Sequence, residues 1–446
     1  MNNNTSSFSR PTRRDVLKFA GAAGAASAVG TLAGCAGTGA SMGSVMTGSK
    51  PIGRVVVVGG GWGGATAAKY LRRWSDGGVA VTLVEPSRQF VSCPMSNLVL
   101  GGSKLIGDIT MGYEGLSKLG VNVVHDMVAA IDPDKREVRL ANGSSLPFDR
   151  VVLSPGVDFM YENVQGMNAA AQQTVLHAWK AGPQTVALRR QLEAMPDGGV
   201  VVISIPLAPY RCPPGPYERA CQIAWYLKAN KPRSKLIVLD ANPDMVSKKP
   251  LFTRAFNEDY KGIVDYRVNA SVTEVDAPGR SFKLELGDVV KGDVLNLIPP
   301  MRAANIARDT KLITANNRWC SVDWVTLEST AVKNVHVLGD ATLSAPAMPK
   351  SGHMANQHGK AAAAAIVELL NGRTPAPPMM ANTCYSYIDD KNAVHVSSVH
   401  RYVEEKKTLE AVAGSGGIST QDRASWALEG AYAWGWAKTV WADMLT

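Results

Sequence analysis

The sequence predicts an α/β protein with two dinucleotide-binding, Rossmann-like domains and a small C-terminal α+β domain. Three observations carry this prediction. A strand, a glycine-rich turn and a helix begin at Arg54, and a second strand–helix–strand unit begins at Gly198. The third observation is composition, because a chain of 446 residues with 46% hydrophobic and 19% charged residues can bury two or three large cores.

The first unit has the pattern of a nucleotide-binding turn. Four β-branched residues, 55–58, form a short buried strand, and a helix is predicted from Ala65 to Leu71. Between them, Gly59, Gly61 and Gly64 allow backbone N–H groups to approach a diphosphate at the N-terminus of the helix. The turn therefore predicts a dinucleotide site, for which a bare glycine-rich turn is the alternative.

An acidic residue ends the next strand. The run 79–84 is followed by Glu85, about 20 residues after Gly64, where a ribose hydroxyl needs a hydrogen-bond acceptor. A carboxylate at this position favours an unphosphorylated ribose, as in FAD or NAD.

Two later strands indicate that the first site holds FAD. One ends in Ser154-Pro-Gly156, where flavoproteins with two dinucleotide domains pass from the first domain to the second. The other ends in Gly339-Asp340, where such proteins place an acid on the flavin's ribityl or diphosphate groups. A helix from Gly352 to Leu370 follows. The predicted fold is therefore of the FAD/NAD-linked reductase type.

The second unit lacks a nicotinamide-binding turn. Its strands are predicted at 198–205 and 235–240, with a helix from Tyr217 to Ala229 between them. The connection 206–219 holds five prolines where a second glycine-rich turn would expose backbone N–H groups. This departure makes an NAD(P)-dependent disulfide reductase the weakest of the candidate functions.

The first fifty residues predict export. Residues 1–34 contain Arg13-Arg14 and an Ala/Gly-rich apolar run, and they resemble a twin-arginine signal, which predicts a periplasmic protein. Leu32-Ala-Gly-Cys35 has the form of a lipoprotein cleavage box, with an ordinary signal-peptidase cut as the alternative. Residues 35–50 read as a linker. We predict no transmembrane segment, so any membrane attachment would be a lipid on Cys35.

Charge and cysteine spacing exclude several classes of function. The formal net charge of +9 falls to about +6 without residues 1–34, and no Lys/Arg run is interleaved with aromatic residues, so nucleic acid is excluded as a partner. The six cysteines and seven histidines form no Cys-x-x-Cys, Cys-x-x-Cys-His or His-Glu-x-x-His motif. We therefore predict no zinc, iron–sulfur or haem site.

Four short motifs of the sequence are distinctive. They are Arg211-Cys-Pro-Pro-Gly-Pro-Tyr-Glu-Arg219, Asn296-Leu-Ile-Pro-Pro300, Pro349-Lys-Ser-Gly352 and Asn382-Thr-Cys-Tyr-Ser386. Together they resemble the flavoprotein subunit of flavocytochrome c sulfide dehydrogenase, a relative of sulfide:quinone oxidoreductases and glutathione-reductase-like enzymes. The similarity runs from about Pro51 to the C-terminus, and the proline-rich cysteine loop is its most specific part.

The resemblance implies a redox-active disulfide between Cys212 and Cys384. Hydrosulfide would attack one sulfur, leaving a persulfide and a thiolate that donates electrons to FAD, with sulfur or polysulfide as the product. A structural disulfide or two inert thiols are the alternatives, and Cys221 is a competing partner close in sequence. Cys221 and Cys320 are otherwise predicted to pack in the core or to form an accessory disulfide.

Two further residues take roles from the resemblance, and a third, Lys350, takes its role from its place beside the Gly339-Asp340 strand. Cys93 falls where the family attaches FAD covalently, although the flanking Pro94 and Met95 depart from the family pattern. Glu218 matches the family's candidate proton handler, with an acid at a helix start as the alternative. Lys350 is a candidate for balancing negative charge near the reduced flavin.

The resemblance also implies that electrons leave to a separate c-type cytochrome subunit. No long apolar or amphipathic C-terminal helices of the kind used by quinone-reducing relatives are predicted. Trp434, Trp436 and Trp441 are candidates for the cytochrome interface, with core packing as the alternative. A lipid-anchored sulfide:quinone oxidoreductase and a non-catalytic flavin carrier or sulfur-binding module remain as other functions.

These assignments divide the chain into domains. Residues 51–160 and 300–375 form the predicted FAD-binding domain, residues 161–299 the second Rossmann-like domain without a nicotinamide loop, and residues 376–446 a C-terminal interface domain.

Overall fold

A computed structural model describes residues 51–446. The predicted twin-arginine signal, the lipoprotein box at Cys35 and the linker lie outside the described residues.

The helices and strands follow the chain in three groups. Residues 53–159 hold β1 (Gly53–Val58), α1 (Trp62–Trp74), β2 (Val79–Val84), β3 (Phe90–Val91), α2 (Ser96–Gly101), β4 (Thr110–Met111), α3 (Glu114–Lys118), β5 (Asn122–Val124), β6 (Val128–Asp132), β7 (Glu137–Leu140), β8 (Ser145–Pro147), β9 (Arg150–Leu153) and β10 (Val157–Phe159). Residues 183–309 hold α4 (Pro183–Ala194), β11 (Val200–Ile205), α5 (Gly215–Asn230), β12 (Lys235–Asp240), α6 (Lys249–Arg254), β13 (Val264–Arg267), β14 (Val272–Asp276), β15 (Ser281–Leu284), β16 (Val289–Lys291), β17 (Val294–Leu297), β18 (Met301–Ala303) and α7 (Asn305–Asp309). Residues 335–445 hold β19 (Val335–Val337), α8 (Gly352–Leu370), β20 (Met379–Tyr387), β21 (Ala393–Val403), β22 (Thr408–Ala411), β23 (Gly417–Ile418) and α9 (Arg423–Leu445).

The first large sheet is parallel and has the strand order β19-β9-β1-β2-β5. Counting only its members along the chain, this is the order 5-4-1-2-3 of a Rossmann sheet. Its central strand is buried on both faces, since residues 55–58 are at most 7% exposed. Helices α1 and α8 pack together beside it, where Gly63 and Gly359 allow the two backbones to approach.

The second sheet repeats the same design. Its four strands are parallel in the order β13-β12-β11-β17, which is 3-2-1-4 along the chain. Each Rossmann-like unit also carries a three-stranded antiparallel sheet between its third and fourth strands, β6-β7-β8 in the first and β14-β15-β16 in the second.

The C-terminal part is an antiparallel sheet with one long helix. Strands β20, β21 and β22 pair in sequence, and β23 pairs with β21. Helix α9 packs its inner face against this sheet and against α1. Of the helices within residues 51–446, none combines the length and apolar composition that crossing a membrane requires.

The sequence located most elements closely. The helix predicted from Gly352 to Leu370 and the strand predicted at 235–240 have these bounds in the structure. Helix α1 begins at Trp62, three residues before the predicted start. Its first turn therefore includes Gly63 and Gly64, which the sequence analysis had assigned to the turn before the helix.

Candidate active site

The predicted cofactor-binding residues gather at one edge of the first sheet. Gly59 follows β1, Glu85 follows β2, Ser154 follows β9 and Gly339 lies two residues after the end of β19. All these strands are parallel, so their carboxyl ends meet at the same edge. This is the edge at which open α/β sheets bind ligands.

The three glycines of the first turn have different environments. Gly59 has φ +95°, and a Cβ there would lie 2.4 Å from the Ser154 carbonyl oxygen. A Cβ on Gly64 would lie 1.8 Å from the Gly59 carbonyl oxygen. A Cβ on Gly61 would meet nothing within 4 Å, so the turn is open on that side. The first and third glycines are thus needed for the turn itself, and Gly61 leaves room for a diphosphate.

Glu85 is oriented by backbone groups. Its Oε2 accepts a hydrogen bond of 2.7 Å from Gly60 N, and its Oε1 accepts one of 2.9 Å from Ser87 N. A carboxylate oxygen can accept two hydrogen bonds, so each oxygen keeps capacity for a ribose hydroxyl.

The Ser154-Pro-Gly156 turn lies directly beside the glycine turn. Ser154 N donates to Val58 O at 2.9 Å, which fixes the turn to the end of β1. Gly156 has φ +67°, a conformation that favours glycine, and a Cβ there would meet no atom within 4 Å.

Asp340 supplies a buried acceptor at the same edge. Its Oδ1 has no hydrogen-bond partner within residues 51–446, and burial raises the pKa of this carboxyl. Lys350 lies beside it, donating to the Asp340 carbonyl oxygen at 3.0 Å and to the Thr342 carbonyl oxygen. Burial lowers the pKa of Lys350 to about 8. An orphaned carboxylate oxygen beside an open glycine turn fits the hydroxyl donors of FAD.

A cavity of about 90 Å³ brings the remaining site residues together. Side chains from both Rossmann-like units and from the C-terminal sheet line it. The predicted site residues among them are Cys93, Cys212, Glu218, Asp340 and Cys384. Trp62, which directly follows Gly61, also lines the cavity and connects it to the nucleotide-binding turn.

Cys212 and Cys384 face each other in this cavity as free thiols. The neighbouring Cys384 thiol, together with burial, raises the pKa of Cys212. The Cys212 thiol lowers the pKa of Cys384 against the opposing effect of burial, and the nearby Lys248 ammonium lowers it further. Of the two thiols in the reduced pair, Cys384 is therefore the one whose surroundings favour the thiolate form.

The proline-rich loop holds Cys212 in a left-handed conformation. Its φ is +60°, its N–H donates to the Lys350 carbonyl oxygen at 2.7 Å, and its carbonyl oxygen accepts from Gly215 N at 2.9 Å. A Cβ on Gly215 would lie 2.8 Å from Cys212 Sγ, so this glycine gives the sulfur its space. Positive φ is an uncommon conformation for a residue other than glycine, so the surrounding hydrogen bonds must hold it.

Glu218 is buried between two elements. It lies in the first turn of α5, but its Oε2 accepts from Asn97 Nδ2 and its Oε1 from Tyr387 N, both at 2.8 Å. Burial raises the pKa of the carboxyl. The side chain does not cap its own helix, and a raised pKa suits exchange of a proton with the cavity.

Cys93 lies at the end of the cavity next to Arg211. Its Sγ accepts from Arg211 Nη2 at 3.1 Å and from Ala181 N at 3.4 Å. The Arg211 Nη2 group also donates to the Trp179 carbonyl oxygen.

Two buried cations at the site were not predicted from the sequence. Arg219 is 1% exposed, donates to Asn97 Oδ1 at 3.1 Å and to Asn296 Oδ1 at 3.0 Å, and burial lowers its pKa to about 9. Lys248 is 4% exposed and lies behind Cys384. Arg219 belongs to the cysteine motif, which was a signal, whereas nothing in the sequence around Lys248 distinguishes it.

The corresponding edge of the second sheet is filled by protein side chains. Asp240 ends β12, the position that matches Glu85 in the first unit. Its Oδ2 accepts from Tyr217 Oη at 2.9 Å and Tyr266 Oη at 2.8 Å, and its Oδ1 accepts from Asn242 Nδ2 at 2.7 Å and Asn242 N at 3.0 Å. Four hydrogen bonds use the carboxylate fully, so no acceptor remains for a ribose.

The remaining predicted cysteines are buried, and the predicted tryptophans are buried or half-buried. Cys221 and Cys320 are buried free thiols, so neither forms an accessory disulfide within the described residues. Trp441 is 5% exposed, which excludes it from an exposed interface in this structure. Trp436 is half-buried and lines the cavity, and Trp434 packs edge-on against Trp441.

Comparison with known protein families identifies the chain. The family model described as the central part of the sulfide dehydrogenase [flavocytochrome c] flavoprotein chain matches residues 185–299, and the flavin-binding model of flavocytochrome c sulphide dehydrogenase matches residues 376–445. A flavoprotein chain of this enzyme from Chlorobaculum thiosulfatiphilum is 65% identical over 46 residues, which are 10% of this chain and 94% of that relative. The chain belongs to this flavoprotein family. It is thus a member of a sulfide-oxidising flavoprotein oxidoreductase family, with FAD as its cofactor.

Other similarities are more distant. A pyridine nucleotide-disulphide oxidoreductase model matches residues 53–203. The mitochondrial sulfide:quinone oxidoreductase of Dictyostelium discoideum is 25% identical over 304 residues, and the match spans 66% of each protein, just under two thirds of that relative's length. The crystal structure of the sulfide:quinone oxidoreductase from Aquifex aeolicus superposes with a TM-score of 0.70 at 18% identity, covering 88% of this chain and 91% of that one. These matches confirm the predicted fold class.

Proposed function

We propose that the protein is a sulfide dehydrogenase in which hydrosulfide attacks a Cys212–Cys384 disulfide and the electrons pass through FAD to a c-type cytochrome. One observation carries the proposal. Two cysteines from different domains face each other in a cavity that also holds Glu218 and Asp340, at the meeting point with the nucleotide-binding edge. When bound, FAD supplies the two-electron acceptor for this thiol pair.

Each residue has a part in the proposed reaction. Cys212 and Cys384 form the disulfide that accepts the nucleophile, and they return to it when the electrons have left. Glu218, whose pKa is raised by burial, takes the proton from the persulfide once hydrosulfide has attacked. Arg219 places a buried positive charge in the cavity wall, which favours entry of an anion such as hydrosulfide.

The test of this proposal is anaerobic stopped-flow absorbance of the purified protein mixed with sulfide. We expect rapid flavin bleaching in the wild type and a loss of at least about a thousandfold in Cys384→Ser, as when a covalent nucleophile is removed. Cys320→Ala, which removes a buried thiol that does not line the cavity, is the control and should bleach at the wild-type rate. If Cys384→Ser bleaches as fast as the wild type, the disulfide has no part in the reaction and the carrier function is favoured.

We also propose covalent attachment of FAD through Cys93. This thiol shares the cavity with the redox cysteines and is held by Arg211 and Ala181. After acid denaturation, flavin should remain with the wild-type polypeptide and separate from Cys93→Ala. Flavin that separates from the wild type would show that it is bound without a covalent link.

The outer face of α9 supports a protein as the electron acceptor. The helix has 23 residues and its outer face is almost free of charge, a feature the sequence analysis did not anticipate. The exposed residues of this face are Ala424, Ala427, Leu428, Ala431, Tyr432, Gly435, Lys438, Thr439 and Ala442, of which Lys438 alone is charged. Small side chains make a flat surface suited to a protein partner, whereas helices that insert into membranes present larger apolar residues.

A stack of two indole rings links this helix to the cavity. The rings of Trp62 and Trp436 are 6.1 Å apart with an interplanar angle of 19°, and both side chains line the cavity. We therefore place the electron exit, and the docked cytochrome subunit, on the side of α9.

The quinone alternative predicts a different acceptor for the same reduced protein. We expect sulfide-reduced protein to transfer electrons to a c-type cytochrome, and Tyr432→Glu to slow this transfer without changing flavin bleaching. Faster reduction of a soluble quinone analogue than of cytochrome, with Tyr432→Glu neutral for cytochrome, would favour a sulfide:quinone oxidoreductase.

A further inference from the structure

Lys248 is a buried cation directly behind one of the two reactive cysteines. Its side chain is 4% exposed, and its backbone has φ +54° at the start of α6. The Nζ donates to the Cys384 carbonyl oxygen at 2.8 Å, to Ser386 Oγ at 2.8 Å and to the Val394 carbonyl oxygen at 3.2 Å. These three acceptors use all three N–H groups of the ammonium.

The positive charge is not neutralised by its hydrogen-bond partners. All three acceptors are uncharged, and Lys248 forms no salt bridge with a carboxylate of residues 51–446. A buried charge without an ion pair is unfavourable and is kept where it interacts with another charge. The charged and titratable groups around it are Cys384, Glu218, Cys212 and Glu429.

Two of these neighbours, Glu429 and Glu218, do not neutralise the Lys248 ammonium. Glu429 is already engaged by His395 Nδ1 at 2.8 Å and Ser419 Oγ at 2.6 Å. Glu218 is held by Asn97 and Tyr387, and burial favours its neutral form. The ammonium therefore acts mainly on the thiol pair, and it lies on the side of Cys384.

We infer that Lys248 is a positioning residue that makes Cys384 the leaving sulfur when hydrosulfide attacks the disulfide at Cys212. This inference rests on the proposed sulfide reaction. In the step, a bond forms between hydrosulfide and Cys212 Sγ while the bond between the two cysteine sulfurs breaks. Cys212 becomes a persulfide that keeps the hydrosulfide proton, and Cys384 Sγ takes the electron pair as a thiolate, so atoms and charge balance.

On the opposite side, the buried cations Arg211 and Arg219 act on Cys212, but within residues 51–446 neither donates a hydrogen bond to that residue as Lys248 does to Cys384. If Cys384 were attacked, Cys212 would leave as the thiolate, and Arg211 is the charged residue next to it in sequence. The Arg211 Nη2 group is engaged by the Trp179 carbonyl oxygen and Cys93 Sγ. Because the more acidic thiol is the better leaving group, the ammonium behind Cys384 favours its departure.

The test measures the acidity of each thiol separately in the absence of sulfide. Protein reduced with a dithiol is alkylated with iodoacetamide over a range of pH, and the modified Cys212 and Cys384 peptides are quantified by mass spectrometry. We expect the Cys384 midpoint to lie below that of Cys212. In Lys248→Met it should rise by about one pH unit or more, a tenfold change in acidity, and Lys248→Arg should largely restore it.

The neighbouring lysine provides a matched control. Lys249 is exposed and pairs with Asp244, so Lys249→Met should leave both midpoints unchanged. A Lys248→Met protein that is folded and has the wild-type Cys384 midpoint would overturn the inference. Should that variant not fold, the wild type still decides, because a Cys212 midpoint below that of Cys384 also overturns it.

The two proposals can fail independently. Alkylation is measured without sulfide, so the two midpoints can behave as expected in a protein that does not oxidise sulfide. In that case the proposed function fails and the effect of Lys248 on Cys384 stands. Sulfide oxidation with no effect of Lys248→Met on the midpoints would give the opposite result.

Discussion

The two Rossmann-like units share a strand order but differ in what occupies the carboxyl edge of the sheet. In the first unit, Gly61 leaves open space and Glu85 keeps free acceptor capacity. In the second unit, Asp240 has the same place as Glu85, but two tyrosines and an asparagine use all its capacity. One scaffold thus binds a dinucleotide and the other is filled by its own side chains.

The difference shows how a nucleotide domain can be reused. The second unit loses the glycine turn and gains the proline-rich loop that carries Cys212. The loop ends at the N-terminus of α5, where a nicotinamide diphosphate would otherwise bind. The second unit therefore supplies Cys212 to the cavity at the place where a reductase would bind a nicotinamide nucleotide.

The largest expected effect comes from Gly64→Val in the first unit. The new Cβ would lie 1.8 Å from the Gly59 carbonyl oxygen, so the turn and α1 must separate. We expect the variant to lose bound flavin and about 3 kcal/mol or more of unfolding free energy. Flavin content and thermal unfolding measure this, and a variant with normal flavin would contradict the assigned role of the turn.

A smaller and more selective effect is expected from Gly61→Val. The Cβ position is open in the protein, so the flavin-free variant should unfold within about 0.5 kcal/mol of the flavin-free wild type. Flavin incorporation should nevertheless fall by about tenfold or more, because the side chain occupies the space of the diphosphate. Normal incorporation would show that the diphosphate does not use this opening.

The third prediction concerns Glu218, at the junction of the two units. A base with a raised pKa works above that pKa, so the wild-type rate of flavin reduction should rise with pH through it. Glu218→Gln cannot ionise, and we expect the rate to fall by about a hundredfold and to lose this rise. Stopped-flow rates across pH measure both effects, with the exposed Glu193→Gln as control.

The Glu218 carboxyl also makes the free energy of unfolding depend on pH. Its pKa is higher in the folded than in the unfolded protein, so its contribution is fully present below the ordinary pKa of Glu and is lost as pH rises through the raised value. Glu218→Gln should remove this dependence. An unchanged rate profile in the variant would identify Glu218 as a structural acid that satisfies Asn97 and Tyr387.

The sequence revealed those features whose interacting residues lie close together along the chain. Helix α8 and strand β12 follow from local apolar runs and were located to the residue. The glycine turn and Glu85 are also local, since 20-odd residues hold the whole motif. Lys248 escaped prediction because its acceptor, the Cys384 carbonyl, lies 136 residues further along the chain and only tertiary packing brings them together.

The same distinction applies to the carboxyl edge of the second sheet, where protein side chains occupy the nucleotide position. The five prolines indicated that a nicotinamide diphosphate would not fit, and that inference used only residues 206–219. The partners of Asp240 could not be read in this way, because Tyr217, Tyr266 and Asn242 come from three separate segments. The pairing of β12 with β13 places Tyr266 beside Asp240, and the packing of α5 beside β12 places Tyr217 there.

The smallest expected effect tests this filled site. Tyr217 is fully buried, donates to Asp240 Oδ2 at 2.9 Å and accepts from Val246 N at 3.1 Å, so Tyr217→Phe removes two hydrogen bonds. We expect a loss of about 1–2 kcal/mol in unfolding free energy, measured by denaturant titration. Tyr226→Phe, on the same helix, is the control and should change stability by less.

The same variant should gain no reaction with nicotinamide nucleotides. Tyr266 and Asn242 still engage Asp240, and the proline-rich loop still covers the N-terminus of α5. NADH should therefore leave the flavin oxidised in both the wild type and Tyr217→Phe. Flavin bleaching by NADH in the wild type would show that the second unit retains a nicotinamide site, and the contrast between the two units would fail.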